Sequence, residues 1–195
     1  MLAYSTIAHA GYMMMPVAAA MAVAGSQPTV AREALASLTF YIALYLFMNL
    51  GAFAIVAFLR NAARSEEIAD YAGLIRSCPV TTVSFVLILV SLIGLPPLAG
   101  FPAKTFIFLS LVSVGGPIMI TLLVIAGLNT AISLVYYLRV AKVMTIDPEP
   151  DSRPPVEIGF APGLYTVFIT AFVVAFGILF DGVYRFAEQA VSQLL

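Results

Sequence analysis

At 195 residues, 62% of them hydrophobic, 10% charged and the net charge −1, the chain is too apolar for a water-soluble fold, which carries about 25% charged residues. A mean hydropathy of +1.05 makes lipid the expected solvent for nearly all of it. The same balance excludes a nucleic-acid binder, which needs a basic face, and the lone cysteine, Cys78, excludes an internal disulfide.

About 20 apolar residues cross a hydrocarbon core of about 30 Å, and the chain divides into five such crossings in one membrane domain, 1–195. The first runs from Ala3 to Ala24 with no basic run or cleavage site before it, so no signal peptide is expected. The second runs from Ala36 to Leu59, and a polar loop from Arg60 to Ser77 follows. The third apolar stretch, 80–114, would make a helix of roughly 52 Å, too long for one straight crossing. Its middle, 94–102, holds Gly94, Pro96, Pro97, Gly100 and Pro102, which break the helix. The fourth crossing covers 117–140. A proline- and acid-rich loop, 147–156, precedes the last, 164–180.

Loop charge decides how to count the third stretch. As one broken crossing it puts Arg60, Arg64, Arg76, Arg139, Lys142 and Arg153 on one side, facing only Arg32 and Arg185. As two crossings it leaves no bias. The positive-inside rule favours the first arrangement, with the Arg60–Ser77 and Arg139–Arg153 loops cytoplasmic. The expected fold is therefore all-α: a polytopic transmembrane helix bundle with one discontinuous helix.

Lys104 follows the break by four residues from Gly100, with Thr105 beside it. A charge at mid-bilayer costs at least about 2.5–3.5 kcal/mol on insertion scales, so a sequence with no use for it would carry leucine. Snorkelling is the competing explanation, weakened by the position near the centre of the stretch. Irregular backbone at membrane depth is tolerated where it lines protein or a wet cavity. A lysine there can take up and release a proton, whereas an arginine keeps its own. Lys104 is the first candidate for a proton relay. Normal proton translocation by Lys104→Ala would refute it.

His9, the only histidine, is the second candidate. It shares one helix face with Ser5 and lies near Tyr12, a polar patch that also reads as interhelical hydrogen-bond glue. Asn129, with Asn49, reads first as packing glue and second as lining for a water wire. Tyr136 and Tyr137, ahead of Arg139 and Lys142, read as an aromatic belt with its anchor. One histidine and one cysteine without a nearby carboxylate make no metal site. No phosphate loop, dinucleotide fingerprint or iron–sulfur cysteine pattern is present, so no cofactor is expected on this chain.

Five runs carry a resemblance: LAYSTIAHAGY at 2–12, YLFMNLGAF at 45–53, DYAGL at 70–74, SLIGLPPLAGFPAK at 91–104 and YYLRV at 136–140. In this order the chain resembles the C-terminal part of the subunit N family of respiratory complex I, NADH:quinone oxidoreductase. The resemblance implies an antiporter-like subunit of the cell (inner) membrane that moves protons while electrons pass from NADH to quinone elsewhere. NADH, FMN, iron–sulfur clusters and quinone would sit on other chains. Lys104 and His9 would be relay residues, with Ser5, Tyr12, Asn129 and Thr105 in support. Partners would be the other membrane subunits, the lipid bilayer, and a separate chain or longer form supplying the first inverted repeat. A subunit of a related cation/proton antiporter or membrane-bound hydrogenase is the second reading, and a structural membrane piece without transport the third.

Overall fold

The computed structural model describes residues 1–150, 153 and 156–194. Four positions of the proline- and acid-rich loop, Asp151, Ser152, Pro154 and Pro155, lie outside them. The elements are α1 (Leu2–Val23), α2 (Pro28–Ala63), a short 3-10 turn (Ile68–Tyr71), α3 (Leu74–Ser77), α4 (Pro79–Ile93), α5 (Gly100–Val114), α6 (Gly116–Thr145), α7 (Phe160–Ile178) and α8 (Phe180–Leu194).

Proline starts α2 and α4 and stands second in α6, where its missing N–H costs nothing. Helix α2 begins at Pro28, ahead of the apolar run that starts at Ala36, and takes Arg32 and Glu33 into its first turns. Its 36 residues span about 54 Å, so both ends leave the hydrocarbon. It forms the spine of the bundle and packs against α1, α4, α5, α7 and α8. Along it Phe40, Tyr41, Leu44, Met48, Ala52, Ile55 and Leu59 are fully buried, which is one continuous stripe at helical spacing.

α1, α2, α6 and α7 are each long and apolar enough to cross a membrane, while α4 and α5, with 15 residues each, are too short singly. Together they cover one crossing. Phe85 of α4 lines a hollow with Leu2 at the start of α1, and Leu111 of α5 packs with Ala19 and Ala20 near its end. The outward faces of α1 and α6 are apolar, with Ile7, Met14 and Met21 on one and Ile118, Ile125, Leu128, Ile132 and Val135 on the other. Such faces fit a lipid surround.

The interruption runs from Gly94 to Ala99, shorter than the sequence reading of 94–102. Gly100 and Pro102 belong to the first turn of α5, where a proline is tolerated because the first amides have no intrahelical partner. Gly94 closes α4 in the left-handed conformation at φ +94°, its N–H donating to the Ser91 and Val90 carbonyls. Across the gap the Ser91 hydroxyl accepts the Gly100 amide at 3.0 Å, and Ala99 N–H donates to Val173 O of α7 at 3.1 Å.

Helix α8 follows α7 directly. Hydropathy misses it because Asp181, Arg185 and Glu188 interrupt the apolar run. It is amphipathic: Ala187 and Val191 are buried, while Asp181 and Arg185 form an exposed ion pair at 3.0 Å.

Glu149 and Arg153 are held against the Arg60–Ser77 loop, on one side of the bundle. Arg153 Nη1 donates to the carbonyls of Asp70 (2.7 Å) and Ala72 (2.8 Å), and its Nη2 pairs with Glu149 at 2.7 Å. Ser77 Oγ donates to the same Glu149 oxygen at 2.5 Å, and Gly73 N–H donates to Val143 O at 3.0 Å. The Ser77 hydroxyl, and after it Arg153, hold the Glu149 carboxyl below its ordinary value of 4.5. A carboxylate held low contributes to docking above that ordinary value and loses its contribution as pH falls through the lowered one. Amide exchange at Gly73, corrected for the intrinsic rate, should therefore accelerate as pH drops below about 4.5. Glu149→Gln should remove that pH dependence, and an unchanged profile would show that the Glu149 charge does not hold the loops.

Candidate functional site

The site begins with helical spacing in α1. Ser5, His9 and Tyr12 fall four and three residues apart and so share one face, and all three are buried. Each meets polar groups on a neighbouring helix. Ser5 Oγ hydrogen-bonds the Tyr137 hydroxyl of α6. His9 Nδ1 lies 2.5 Å from the Tyr41 hydroxyl of α2, and its ring stacks on Tyr45 at 4.8 Å between centroids. Tyr12 Oη donates to Ala126 O at 3.0 Å, lies 2.7 Å from Thr130 Oγ1, and accepts from Asn129 Nδ2 at 3.3 Å.

Lys104 enters from α5. It is 4% exposed. Its Nζ donates to Ile93 O at 2.8 Å, a carbonyl at the C-terminal end of α4 that the break leaves without a helical partner. That helix end carries partial negative charge and suits an ammonium group. The same Nζ lies 4.7 Å from the centre of the Tyr12 ring. Among the described residues no carboxylate is within ion-pair distance of it. Gly94 is needed here for space as well as for its φ, since a Cβ would come within 2.9 Å of Lys104 Cδ.

The result is a row of polar groups through an apolar bundle: Tyr137 and Ser5, then Tyr45, Tyr41 and His9, then Tyr12 with Thr130 and Asn129, then Lys104. His9 and Lys104 do not touch. The Tyr12 ring stands between them, 6.0 Å from the His9 ring. Beyond Ser5, on the side of the joined loops, lies a hollow of about 300 Å³ walled by Leu2, Phe53, Glu66, Tyr71, Phe85 and Val140. Groups that exchange protons through such rows need hydroxyls, imidazole or amine within hydrogen-bond reach, directly or through one water. Here hydroxyls, imidazole and amine are present in separate hydrogen-bonded groups: Ser5 with Tyr137, His9 with Tyr41, Tyr12 with Thr130 and Asn129, and Lys104 on Ile93 O.

The transmembrane family described as NADH:quinone oxidoreductase/Mrp antiporter matches residues 1–131.

The chain belongs to that family.

Its curated relatives include NADH-quinone oxidoreductase subunit N of Anaeromyxobacter sp. (strain Fw109-5), 39% identical over 200 residues, covering 98% of this chain and 36% of the relative. Subunit N 2 of Sorangium cellulosum is 37% identical over 195 residues, covering all of this chain and 36% of the relative. The chain thus spans little more than a third of these relatives' length. A chain of respiratory complex I from Thermus thermophilus with bound NADH superposes at a TM-score of 0.77, with 19% identity and coverage of 100% of this chain and 39% of that one. A chain of the Mrp complex from Dietzia sp. DQ12-45-1b gives 0.73, with 14% identity and coverage of 98% and 47%. At such identities the likeness shows the fold, an antiporter-like all-α bundle. This member of the antiporter family is a multi-pass protein of the cell membrane.

Within this family member, the residues singled out from sequence do not all converge. Ser5, His9, Tyr12, Asn129 and Lys104 join the row. Thr105 does not: its hydroxyl donates to Phe101 O of its own helix at 2.8 Å, on another face of α5. Gly94 and Gly100 shape the break. Tyr137 does not sit in an interfacial belt, because it is fully buried against Ser5. Sequence reasoning missed Tyr41, Tyr45, Tyr137 and Thr130 as members of the row. Tyr41 and Tyr45, four apart within an apolar helix, were the available signal.

Proposed function

We propose that the chain is the C-terminal, proton-translocating part of subunit N of an NADH:quinone oxidoreductase. Lys104 accepts a proton that arrives along the His9 row and passes it onward. The observation that carries this reading is Lys104 itself, a 4% exposed lysine without a carboxylate partner among the described residues, seated on the open end of a broken transmembrane helix. A structural lysine at that depth would be expected in an ion pair. His9 links the Ser5–Tyr137 end to the centre by passing a proton between its two ring nitrogens. Entry is from the hollow at Leu2 and Glu66. The redox chemistry, with NADH, FMN, iron–sulfur clusters and quinone, belongs to other chains of the assembly, and further membrane subunits, together with whatever supplies the first repeat, are its partners.

Lys104→Ala in the intact assembly, reconstituted in vesicles, should abolish proton translocation through this subunit while the assembly still forms. Full translocation by the variant overturns the reading. The likeness to the Mrp complex chain favours a second one, a subunit of a cation/proton antiporter. A purified assembly whose translocation does not depend on NADH oxidation would select it.

A further inference from the structure

An ammonium group taken out of water needs a counter-charge, and none of the carboxylates among the described residues provides it for Lys104. Ile93 O takes one of its three N–H donors. The other feature facing Nζ is the flat side of the Tyr12 ring at 4.7 Å. The face of an aromatic ring carries negative charge and attracts an ammonium within about 6 Å, most strongly where water is excluded. The ring is not free to turn. Its hydroxyl donates to Ala126 O and sits between Thr130 Oγ1 and Asn129 Nδ2, so α6 holds it by three contacts within five residues.

We propose that the ring of Tyr12 is the counter-charge of Lys104, and that α6 sets its angle through Thr130 and Asn129. Tyr12 is then a positioning residue for Lys104: its ring holds the charged lysine in place. The proposal rests on the relay reading of Lys104 and explains how that lysine is held without an acid among the described residues. A carboxylate would bind the ammonium tightly and keep its proton. A ring attracts it more weakly and accepts no proton, so the lysine is held and can still discharge. It also gives α6 a means of control, because a small rotation of that helix turns the ring away from Nζ.

The test uses the intact assembly with position 12 as Phe, then as Phe bearing one, two and three ring fluorines. Fluorine draws charge from the ring face and scarcely changes its size. A residue that only fills space would not respond. Translocation should fall stepwise along the series, to about one tenth of the Tyr12→Phe rate at three fluorines, and Tyr12→Leu should fall at least as far. A series flat within twofold, with Lys104→Ala inactive, overturns the counter-charge and leaves the relay standing. An active Lys104→Ala overturns the relay and this proposal with it.

Discussion

Lys104→Arg is expected to assemble normally and yet lose proton translocation by a factor on the order of 10², the size of effect that a positioned proton-transfer group supplies. The substitution keeps what a structural charge would need. An arginine still donates to Ile93 O and still faces the Tyr12 ring, both of which suit a guanidinium. It removes one property: the guanidinium does not release its proton at any pH a protein survives. The seat is also narrow, with Gly94 packed against the lysine stem, so the larger head adds strain to the chemical defect. The measurement is protons moved per electron in vesicles, with subunit content checked by immunoblot. Wild-type stoichiometry in Lys104→Arg would mean that the site needs only a fixed positive charge, and the relay would be lost.

Gly100→Ala should have the largest effect on stability, about 3 kcal/mol, the upper part of the range for an overfilled core. A Cβ at Gly100 would overlap the Ser91 carbonyl oxygen and lie 2.7 Å from its carbon. The carbonyl has no room to yield, since Gly94 N–H bonds the same oxygen at 2.9 Å to end α4. The two half-helices would have to move apart, breaking the Gly100 N–H to Ser91 hydroxyl bond and opening the seat of Lys104. Gly11→Ala is the control, because nothing lies within 4 Å of the added carbon and alanine is the better helix former. Thermal unfolding of the two variants in detergent should separate them clearly. Equal transitions would mean that the close approach at the break contributes little.

Part of the site follows from helical spacing alone. Ser5, His9 and Tyr12 share a face wherever α1 is placed. Which residues of other helices that face meets depends on how α2 and α6 are rotated about their own axes. Tyr41, Tyr45, Tyr137 and Thr130 all come from those helices. Each lies in a stretch apolar enough that a tyrosine reads as a large hydrophobic residue or an interfacial one, and only packing turns the hydroxyl inward. Thr105 shows the converse: adjacent to Lys104 in sequence, it lies about 100° away around the helix and bonds its own backbone.

By itself the sequence determined the solvent and the rupture of the 80–114 stretch, since apolar run length and clustered proline and glycine act through local backbone chemistry and transfer energy. It also exposed Lys104, because a charge in a long apolar run is costly whatever surrounds it. Only the tertiary structure decided that α8 packs against α2, that Ile93 O and the Tyr12 ring receive the lysine, and that α6 pins that ring. Those contacts join residues from 11 to 144 positions apart. They depend on the rotation and depth of whole helices, which the summed packing of the bundle fixes and no local run of residues encodes.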